Sequence, residues 1–275
     1  MTFVLPGAVG LILLAAGAVF FLRKPSTVTT PTPTTSSQAP SSGLSSRPTV
    51  PAKMADTGQC RVIWTFDEDH GDIVSDATGH GYEARIKGDS SVWIKAANPY
   101  GYGLQLGGTN CVEMDRPVVN TAKSFTVSAW VKLDALKVGS IQGIVSIDGN
   151  YLSAFNLAFY AASAQVGGEF ELIRRSGDSK DATQFKAIGK SGLTTNSWYH
   201  VTGVYDESAQ TISVYLNGEC QATAPCTNSW QALGKTAIGR GRWQGRESSY
   251  LAGTIRDVRI YTSALSAGQI QDMAR

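Results

Sequence analysis

The sequence predicts an all-β fold, an antiparallel β-sandwich, preceded by one transmembrane helix and a disordered stalk. Three observations predict it. Short apolar runs with period-two alternation recur from Cys60 onward, separated by Gly, Asn, Asp and Ser. Glycine is abundant, with 29 residues, whereas methionine is scarce, with 4, which favours strands and tight turns over helix bundles. Residues 1–22 carry no charged side chain, and a Ser/Thr/Pro-rich segment follows them.

Residues 1–24 are predicted to form a transmembrane anchor. The apolar run through residues 3–22, at about 1.5 Å per residue, is long enough to cross the core of a bilayer. A cleaved signal peptide is the alternative, but the run lacks a basic n-region and is longer than a usual h-region. Arg23 and Lys24 follow directly, and the positive-inside rule places the C-terminal domain on the cytoplasmic side.

Residues 25–56 are predicted to be a stalk. The segment consists mainly of Ser, Thr and Pro, which is too polar to bury and too rich in proline for helix or sheet. The stalk would hold residues 57–275, the predicted globular domain, away from the membrane.

The globular domain is predicted to contain about ten to thirteen strands joined by hairpins, without alternating helices. The clearest strands are expected at residues 61–66, 103–106, 111–114, 125–133, 143–147, 155–160, 169–174, 199–205, 211–216 and 253–261. Hairpin turns are expected at residues 206–210 and at Asn217-Gly218, and Ser266 is expected to cap a helix over residues 267–273.

Four cysteines predict two disulfides. Cys60, Cys111, Cys220 and Cys226 all lie in the globular domain, and none has the C-x-x-C spacing of a zinc or redox motif. Cys220 and Cys226 flank a short loop that one bridge would close, which leaves Cys60 for Cys111, although four cysteines allow three connectivities. Disulfides imply an oxidising compartment and favour an extracellular or luminal domain. The alternative is a virion membrane, with thiol oxidation supplied by the virus, which agrees with both the disulfides and the positive-inside rule.

Several sequence blocks carry a resemblance to a known family. They lie at residues 64–68 (WTFDE), 76–81 (DATGHG), 125–131 (FTVSAWV), 198–201 (WYHV), 215–218 (YLNG) and 257–266 (DVRIYTSALS). In this order they resemble the laminin-G-like jelly-roll domains of the concanavalin A-like lectin/glucanase superfamily, over about residues 61–275. The resemblance implies a concanavalin-like jelly roll with Trp64, Trp130 and Trp198 in its core. Members of the family bind glycans or proteins, mediate adhesion or accompany enzymes, so fold alone leaves function open.

The glucanases of this superfamily carry an E-x-D-x-x-E-type strand whose carboxylates cleave the glycosidic bond. The nearest segment here is residues 169–174 (EFELIR), where Glu169 and Glu171 share a strand face but Arg174 replaces the third carboxylate. A solvated face with a Glu–Arg neighbourhood is therefore expected, and the protein is predicted not to be an enzyme. An atypical glycoside hydrolase is the alternative.

The resemblance also implies a structural calcium ion bound by carboxylates and backbone carbonyls. The candidate ligands are Asp67, Asp76 and Asp257, with Asp69 and Asp72 near the first two. The alternative is that Asp76 forms an Asx turn with the residues after it and that Asp67 ends a strand.

The loop at residues 239–246 (GRGRWQGR) is the candidate ligand-binding segment. Its members Arg240, Arg242, Trp243 and Arg246 combine an aromatic face, which stacks on a sugar ring, with guanidinium groups that bind sulfate or carboxylate. Anionic glycans or a protein partner fit this pattern. The alternative is a flexible solvated connection with Trp243 packed onto the sandwich.

The charge balance of 24 basic and 22 acidic residues gives no global field, and no nucleic-acid partner is predicted. The sequence therefore predicts a membrane-anchored recognition or adhesion module that binds carbohydrate or a surface glycoprotein. The alternative from another class is a scaffold with a structural protein partner, which tethers an assembly such as a viral capsid to a membrane.

Overall fold

Strands supply nearly all regular structure in the described part of the chain. The computed structural model describes residues 59–88, 92–95 and 101–275, which contain eighteen strands and one short helix. The all-β prediction is confirmed for these residues. The predicted anchor at residues 1–24 and the predicted stalk at residues 25–56 lie outside them. Among the described residues, no helix is long and apolar enough to cross a membrane.

Eight strands form one antiparallel sheet, named sheet 1. In spatial order it contains β14 (Glu219–Pro225), β13 (Thr211–Leu216), β12 (Trp198–Asp206), β7 (Phe125–Leu133), β18 (Ala252–Tyr261), β5 (Tyr102–Gly107) and β4 (Val92–Lys95). The eighth strand, β1 (Cys60–Trp64), pairs with the second half of β18. The first and the last strand of the described residues, β1 and β18, are thus hydrogen-bonded neighbours.

Eight further strands form a second antiparallel sheet, named sheet 2. Its order is β11 (Gln184–Ile188), β10 (Gly167–Arg175), β9 (Ser153–Ser163), β8 (Ile141–Asp148), β15 (Thr236–Ile238), β6 (Cys111–Met114), β3 (Ala84–Lys87) and β2 (Ile73–Val74). Two short strands, β16 (Gly241–Trp243) and β17 (Arg246–Ser248), form a separate hairpin, named the cleft hairpin.

The core lies between the two sheets because each long strand turns alternate apolar side chains to the same side. On β7, Phe125, Val127 and Val131 are fully buried members of the core, as the period-two pattern predicts. The ring centroid of Phe125 lies 4.6 Å from that of Phe155 on β9, so the two sheets pack face to face. Burial of each such aromatic or branched side chain stabilises the folded state by about 1.5–3 kcal/mol.

Sheet 1 has a second covered patch, under the C-terminal helix α1 (Ala267–Met273). Ser266 caps this helix, because its Oγ accepts a hydrogen bond from the Gln269 backbone N–H while the Gln269 side chain accepts one from the Ser266 N–H. The sequence prediction of this helix and its cap is confirmed. The side chain of Met273 packs over β7, where its sulfur lies 4.0 Å from Ser128 Oγ.

The predicted hairpins are also confirmed. Residues 206–210 connect β12 to β13, and Asn217 and Gly218 connect β13 to β14 with φ values of +49° and +85°. Positive φ at both central positions matches the right-handed twist of the flanking strands.

The predicted disulfides are not formed in the structure: all four cysteines are free. Cys60 begins β1 in sheet 1, whereas Cys111 begins β6 in sheet 2, beside Glu113 and Arg240. Cys220 is an exposed residue of β14, and Cys226, which follows that strand, is buried. The prediction of a Cys220–Cys226 bridge rested on their proximity in sequence. In the structure, the extended strand β14 separates the exposed Cys220 from the buried Cys226.

The tryptophans divide into two groups. Trp64 is fully buried, and its indole N–H donates to the Tyr82 carbonyl oxygen at 2.7 Å, which confirms it as a core residue. Trp130 and Trp198 are only half-buried, so placing them in the core was wrong. Trp130 has the opposite strand parity from the buried Phe125, Val127 and Val131 of β7 and lies on the outer face of sheet 1.

Candidate functional site

A cleft of about 650 Å³ opens on the outer face of sheet 2. Strand register brings Ser146, Asn156, Ile173 and Lys186 side by side across β8, β9, β10 and β11. Asn156, Ile173 and Lys186 line the floor of the cleft. Their neighbours along each strand point the other way, into the core. The alternation that builds the sandwich therefore also lays a partly polar floor beneath the cleft.

The cleft hairpin forms one wall. Its turn is Gln244-Gly245, with φ values of +51° and +74°, and Trp243 pairs with Arg246 across it. A two-residue turn with positive φ at both positions favours a tightly twisted hairpin. The hairpin is attached to the sheet by the Arg242 N–H, which donates to Ser153 Oγ at 2.8 Å, and by the Gly245 N–H, which donates to the Tyr151 carbonyl oxygen at 2.9 Å.

Arg240, predicted as a ligand contact, is instead buried beneath the cleft hairpin with no exposed surface. Its guanidinium donates to Glu113 Oε1 at 2.6 Å and to Asp148 Oδ2 at 2.8 Å. Burial opposes the charge of Arg240, but Asp148 and Glu113 outweigh burial and raise its pKa. Arg240 therefore fixes the start of the hairpin to sheet 2, and the structure corrects its predicted role to a positioning one.

Glu113 completes this buried cluster. Lys235 Nζ lies 2.5 Å from Glu113 Oε2, on the side away from Arg240. Burial raises the pKa of the Glu113 carboxyl, but hydrogen bonds from Lys235 and Arg240 outweigh burial and hold that pKa below its usual value. The carboxylate is thus charged and fully paired.

The other three residues of the predicted ligand loop differ in position. Trp243 is 45% exposed at the rim of the cleft, with the Arg175 guanidinium 4.8 Å from its ring centroid. Arg242 lines the cleft and donates to the Gly245 carbonyl oxygen at 2.8 Å. Arg246 is exposed at the start of β17 and is not among the described residues that line the cleft. Arg175, Lys137 and Asn156 line the cleft but were missed, because each comes from a distant segment that only the fold brings near Trp243.

Apart from Arg242 Nε, which is ion-paired with Asp148, two buried polar atoms at the cleft have no hydrogen-bond partner in the described part of the chain: Asn156 Oδ1 and Ser248 Oγ. A buried polar atom left without a partner costs about 1–3 kcal/mol. One is an acceptor and the other both donates and accepts, so together they suit the hydroxyl groups of a polar ligand.

The predicted calcium ligands are engaged in other contacts. Asp76 Oδ1 accepts hydrogen bonds from the Thr78 N–H at 2.9 Å and the Ile63 N–H at 3.4 Å, which confirms the Asx-turn alternative. Asp257 forms a two-pronged ion pair with Arg259, with both distances 2.8 Å, and Asp67 accepts from the Tyr102 N–H at 3.3 Å. Among the described residues, no three carboxylates, histidines or cysteines gather into a metal-binding group.

The pair of glutamates on β10 lies outside the cleft lining. Glu171 is 2% exposed, and its Oε2 lies 2.7 Å from Lys186 Nζ, so its charge is paired. Burial, followed by the charge of Glu171, raises the pKa of Glu169.

The expectation that Arg174 lies on this solvated face was wrong. Arg174 is fully buried on the inner side, and its guanidinium stacks 3.8 Å from the Tyr205 ring centroid. One of its nitrogens donates to the Thr121 carbonyl oxygen at 2.7 Å. Arg174 is therefore part of the contact between the sheets and has no role at the glutamate pair.

Comparison with known families identifies the fold. A laminin G family model, of the concanavalin A-like lectin/glucanases superfamily, matches residues 106–271. No curated protein sequence matches the chain.

Several solved structures share the fold at low identity. Domain 4 of AbnA, a GH43 extracellular arabinanase from Geobacillus stearothermophilus, in complex with arabinotriose, is 20% identical with a TM-score of 0.61, covering 79% of this chain and 98% of that one. The binding domain of botulinum neurotoxin DC in complex with SialylT is 12% identical with a TM-score of 0.56, covering 80% and 51%. The same toxin domain in complex with rat synaptotagmin II is 13% identical with a TM-score of 0.58, covering 79% and 51%. The chain thus spans about half the length of these toxin domains.

Proposed function

Because the chain belongs to the laminin G family of the concanavalin A-like lectin/glucanases superfamily, we propose that it is a non-enzymatic recognition module that binds carbohydrate, free or on a glycoprotein. The binding site is the cleft on sheet 2. The observation that carries the proposal is the position of Trp243, held half-exposed at the rim of a cleft of about 650 Å³.

The chemistry of the cleft fits a saccharide. The carbon-bound hydrogens on one face of a sugar ring pack against an indole, which Trp243 presents at the rim. Hydroxyl groups at the ring edge then satisfy Asn156 Oδ1 and Ser248 Oγ, two buried polar atoms of the cleft lining that lack hydrogen-bond partners among the described residues. A rigid aromatic and a few fixed polar groups in a concave site are typical of small-ligand recognition.

The similar structures support the same class of function. Domain 4 of the arabinanase holds arabinotriose, and the toxin domain holds SialylT in one structure and synaptotagmin II in another. Modules with this fold therefore act as binding domains for carbohydrate and for protein. A glycan carried on a surface protein combines both kinds of contact.

The absence of hydrolysis is part of the proposal and rests on the β10 glutamates. Glycosidases need one carboxylate as acid and a second as base or nucleophile. Glu171 is neutralised by Lys186, and neither it nor Glu169 lines the cleft. We expect no release of reducing ends from any polysaccharide in a broad panel, and hydrolysis lost in Glu169→Gln would contradict this part of the proposal.

Binding is tested with an array of neutral and acidic glycans, probed with the purified full chain and with Trp243→Ala. Loss of an aromatic stacking contact worth about 1.5 kcal/mol lowers affinity by about ten-fold. The matched control is Leu233→Ala, which removes a side chain that is 75% exposed outside the cleft lining. A silent array, or equal losses in the two variants, would contradict carbohydrate binding in this cleft and favour a scaffold with a protein partner.

Display from a membrane is proposed from the sequence of residues 3–22 alone. We propose that the anchored binding domain lies outside the cell or in a lumen, or, as the alternative, at a virion membrane. Retention of the chain in membranes after alkaline extraction, and its release when residues 1–24 are deleted, is the expected result.

A structural calcium ion is also proposed. Repeating the glycan array in EDTA tests it.

A further inference from the structure

The cleft has an unbalanced charge. Its lining contains four cationic side chains and, among the described residues, no carboxylate. The four are Lys137, Arg175, Lys186 and Arg242. The whole chain has a net charge of only +2, so this concentration of positive charge is local to the site.

Two of these cations are neutralised by carboxylates outside the lining. Lys186 Nζ lies 2.7 Å from Glu171 Oε2, and Arg242 Nε lies 3.3 Å from Asp148 Oδ2. Asp148 also pairs with the buried Arg240, so it is shared between two guanidinium groups. Lys186 and Arg242 therefore mainly stabilise the structure of the cleft.

Arg175 and Lys137 have no such counter-charge. No ion pair joins either residue to a carboxylate in the described part of the chain. The Arg175 guanidinium lies over the Trp243 ring at 4.8 Å, and Lys137 Nζ donates to the Tyr250 carbonyl oxygen at 3.0 Å. Burial is the sole cause that lowers the pKa of each residue, with no acidic neighbour acting to raise it. Glu247, an acidic residue of the cleft hairpin, accepts a hydrogen bond from the Tyr250 hydroxyl at 2.9 Å.

A partly buried cation without a counter-charge is unfavourable until an anion supplies one. We propose that the cleft binds a saccharide that carries an anionic group, carboxylate or sulfate, which Arg175 and Lys137 contact while its ring packs against Trp243. This inference rests on the proposed carbohydrate-binding function and adds the class of ligand. The planar guanidinium of Arg175 is fixed by its stacking on Trp243, so it is oriented for a two-pronged contact with an oxyanion.

The test measures binding of the full chain to charged and uncharged forms of the same saccharide by titration calorimetry. Oligogalacturonate is compared with its methyl ester, and a sulfated glycosaminoglycan fragment with its desulfated form. We expect at least one charged form to bind about ten-fold more tightly than its neutral partner and to weaken with added salt. Preference for oligogalacturonate or for the sulfated fragment identifies the anionic group.

The variants Arg175→Gln and Lys137→Gln locate the charge effect. Each is expected to lower affinity for the charged form about ten-fold more than it lowers affinity for the neutral form. The matched control, Lys190→Gln, removes one exposed positive charge outside the cleft lining and should change neither. Because the two tested residues lie on separate segments, loss of folding in one variant leaves the other, and the salt dependence, as tests.

The possible failures are distinguishable. If neutral saccharides bind as tightly as charged ones, or if Arg175→Gln and Lys137→Gln reduce both equally, the anionic ligand is wrong and carbohydrate binding stands. If no saccharide of either kind binds, both the proposed function and this inference are overturned.

Discussion

His200 is a buried imidazole on β12, packed against Trp130 with 5.2 Å between ring centroids. Burial lowers its pKa to about 4, Asp257 opposes this shift, and Arg259 adds to it. In the unfolded chain the pKa is about 6.5, so the unfolded state binds the proton between these values and the folded state does not. Stability is therefore full above pH 6.5 and is lost as the pH falls toward 4.

This shift predicts that the free energy of unfolding drops by about 2 kcal/mol between pH 6.5 and pH 5. Urea unfolding at half-unit pH steps measures the drop. In His200→Gln the curve should be flatter over that window, whereas His80→Gln, which changes an exposed histidine, should keep the slope. An unchanged slope in His200→Gln would show that the imidazole is not held neutral by burial.

Individual residues were predicted well where their partners are local. The Asx turn at Asp76 follows from the two residues after it, and the Ser266 cap follows from Gln269 three residues later. Arg240 could not be placed, because its partners Glu113 and Asp148 lie 127 and 92 residues away. Arg174 could have been placed from its strand parity, which it shares with the buried Phe170 and Leu172, but its charge outweighed that signal in the interpretation.

A buried ionic cluster fixes the start of the cleft hairpin, in addition to the two hydrogen bonds from backbone N–H groups that attach the hairpin to sheet 2. Arg240 precedes β16 and pairs with Glu113 on β6 and Asp148 on β8. Removing the cation leaves two nearly buried carboxylates with reduced compensation, and breaking a buried pair in this way costs about 3–5 kcal/mol.

We therefore expect Arg240→Met to lower the free energy of unfolding by about 3 kcal/mol in urea and to weaken glycan binding along with it. Arg246→Gln is the control on the same hairpin, since that exposed guanidinium should contribute less than about 0.5 kcal/mol. A destabilisation of Arg240→Met no larger than that of the control would mean that the hairpin is held by its backbone contacts alone.

Strands with clear alternation between flanking turns could be predicted, and several strands without these signals could not. The bounds of β6, β7 and β13 agree with the sequence prediction at both ends, because each has clear alternation and a turn on either side. The hairpin of β16 and β17 was interpreted as a loop, because three-residue strands rich in Gly and Arg carry no periodicity. Edge strands such as β2 and β11 were missed for a related reason, since an edge strand buries few side chains.

The molecule as a whole is held together by its two-sheet core without covalent links among the described residues. Burial is the main cause that raises the pKa of Cys60 and of Cys111, each to about 11, so both remain protonated thiols. Cys226 is also buried, and Cys220 is exposed.

A thiol-specific reagent is therefore expected to detect four thiols in the denatured, unreduced chain and to react rapidly with Cys220 alone in the native chain. The Cys220→Ser variant should abolish the rapid native reaction. Fewer than four thiols in the denatured chain would support the disulfides that the sequence predicted. The argument for an oxidising compartment would then hold again.

The class of fold followed from alternation, turn residues and family blocks, which act over short stretches of chain. The proposed binding site did not follow, because the cleft is assembled from β8, β9, β10, β11, the cleft hairpin and the segment around Lys137. The sequence did single out Trp243, since an aromatic residue in an Arg- and Gly-rich segment is unusual for a core position.

A crystal structure of the full chain with the saccharide that the glycan array identifies would test carbohydrate binding at its proposed place. We expect the sugar ring to lie against Trp243, with its anionic group at Arg175 and Lys137 and its hydroxyls near Asn156 and Ser248. A saccharide bound elsewhere, for example on the outer face of sheet 1 beside Trp130 and Trp198, with the cleft empty, would contradict the assignment of the site.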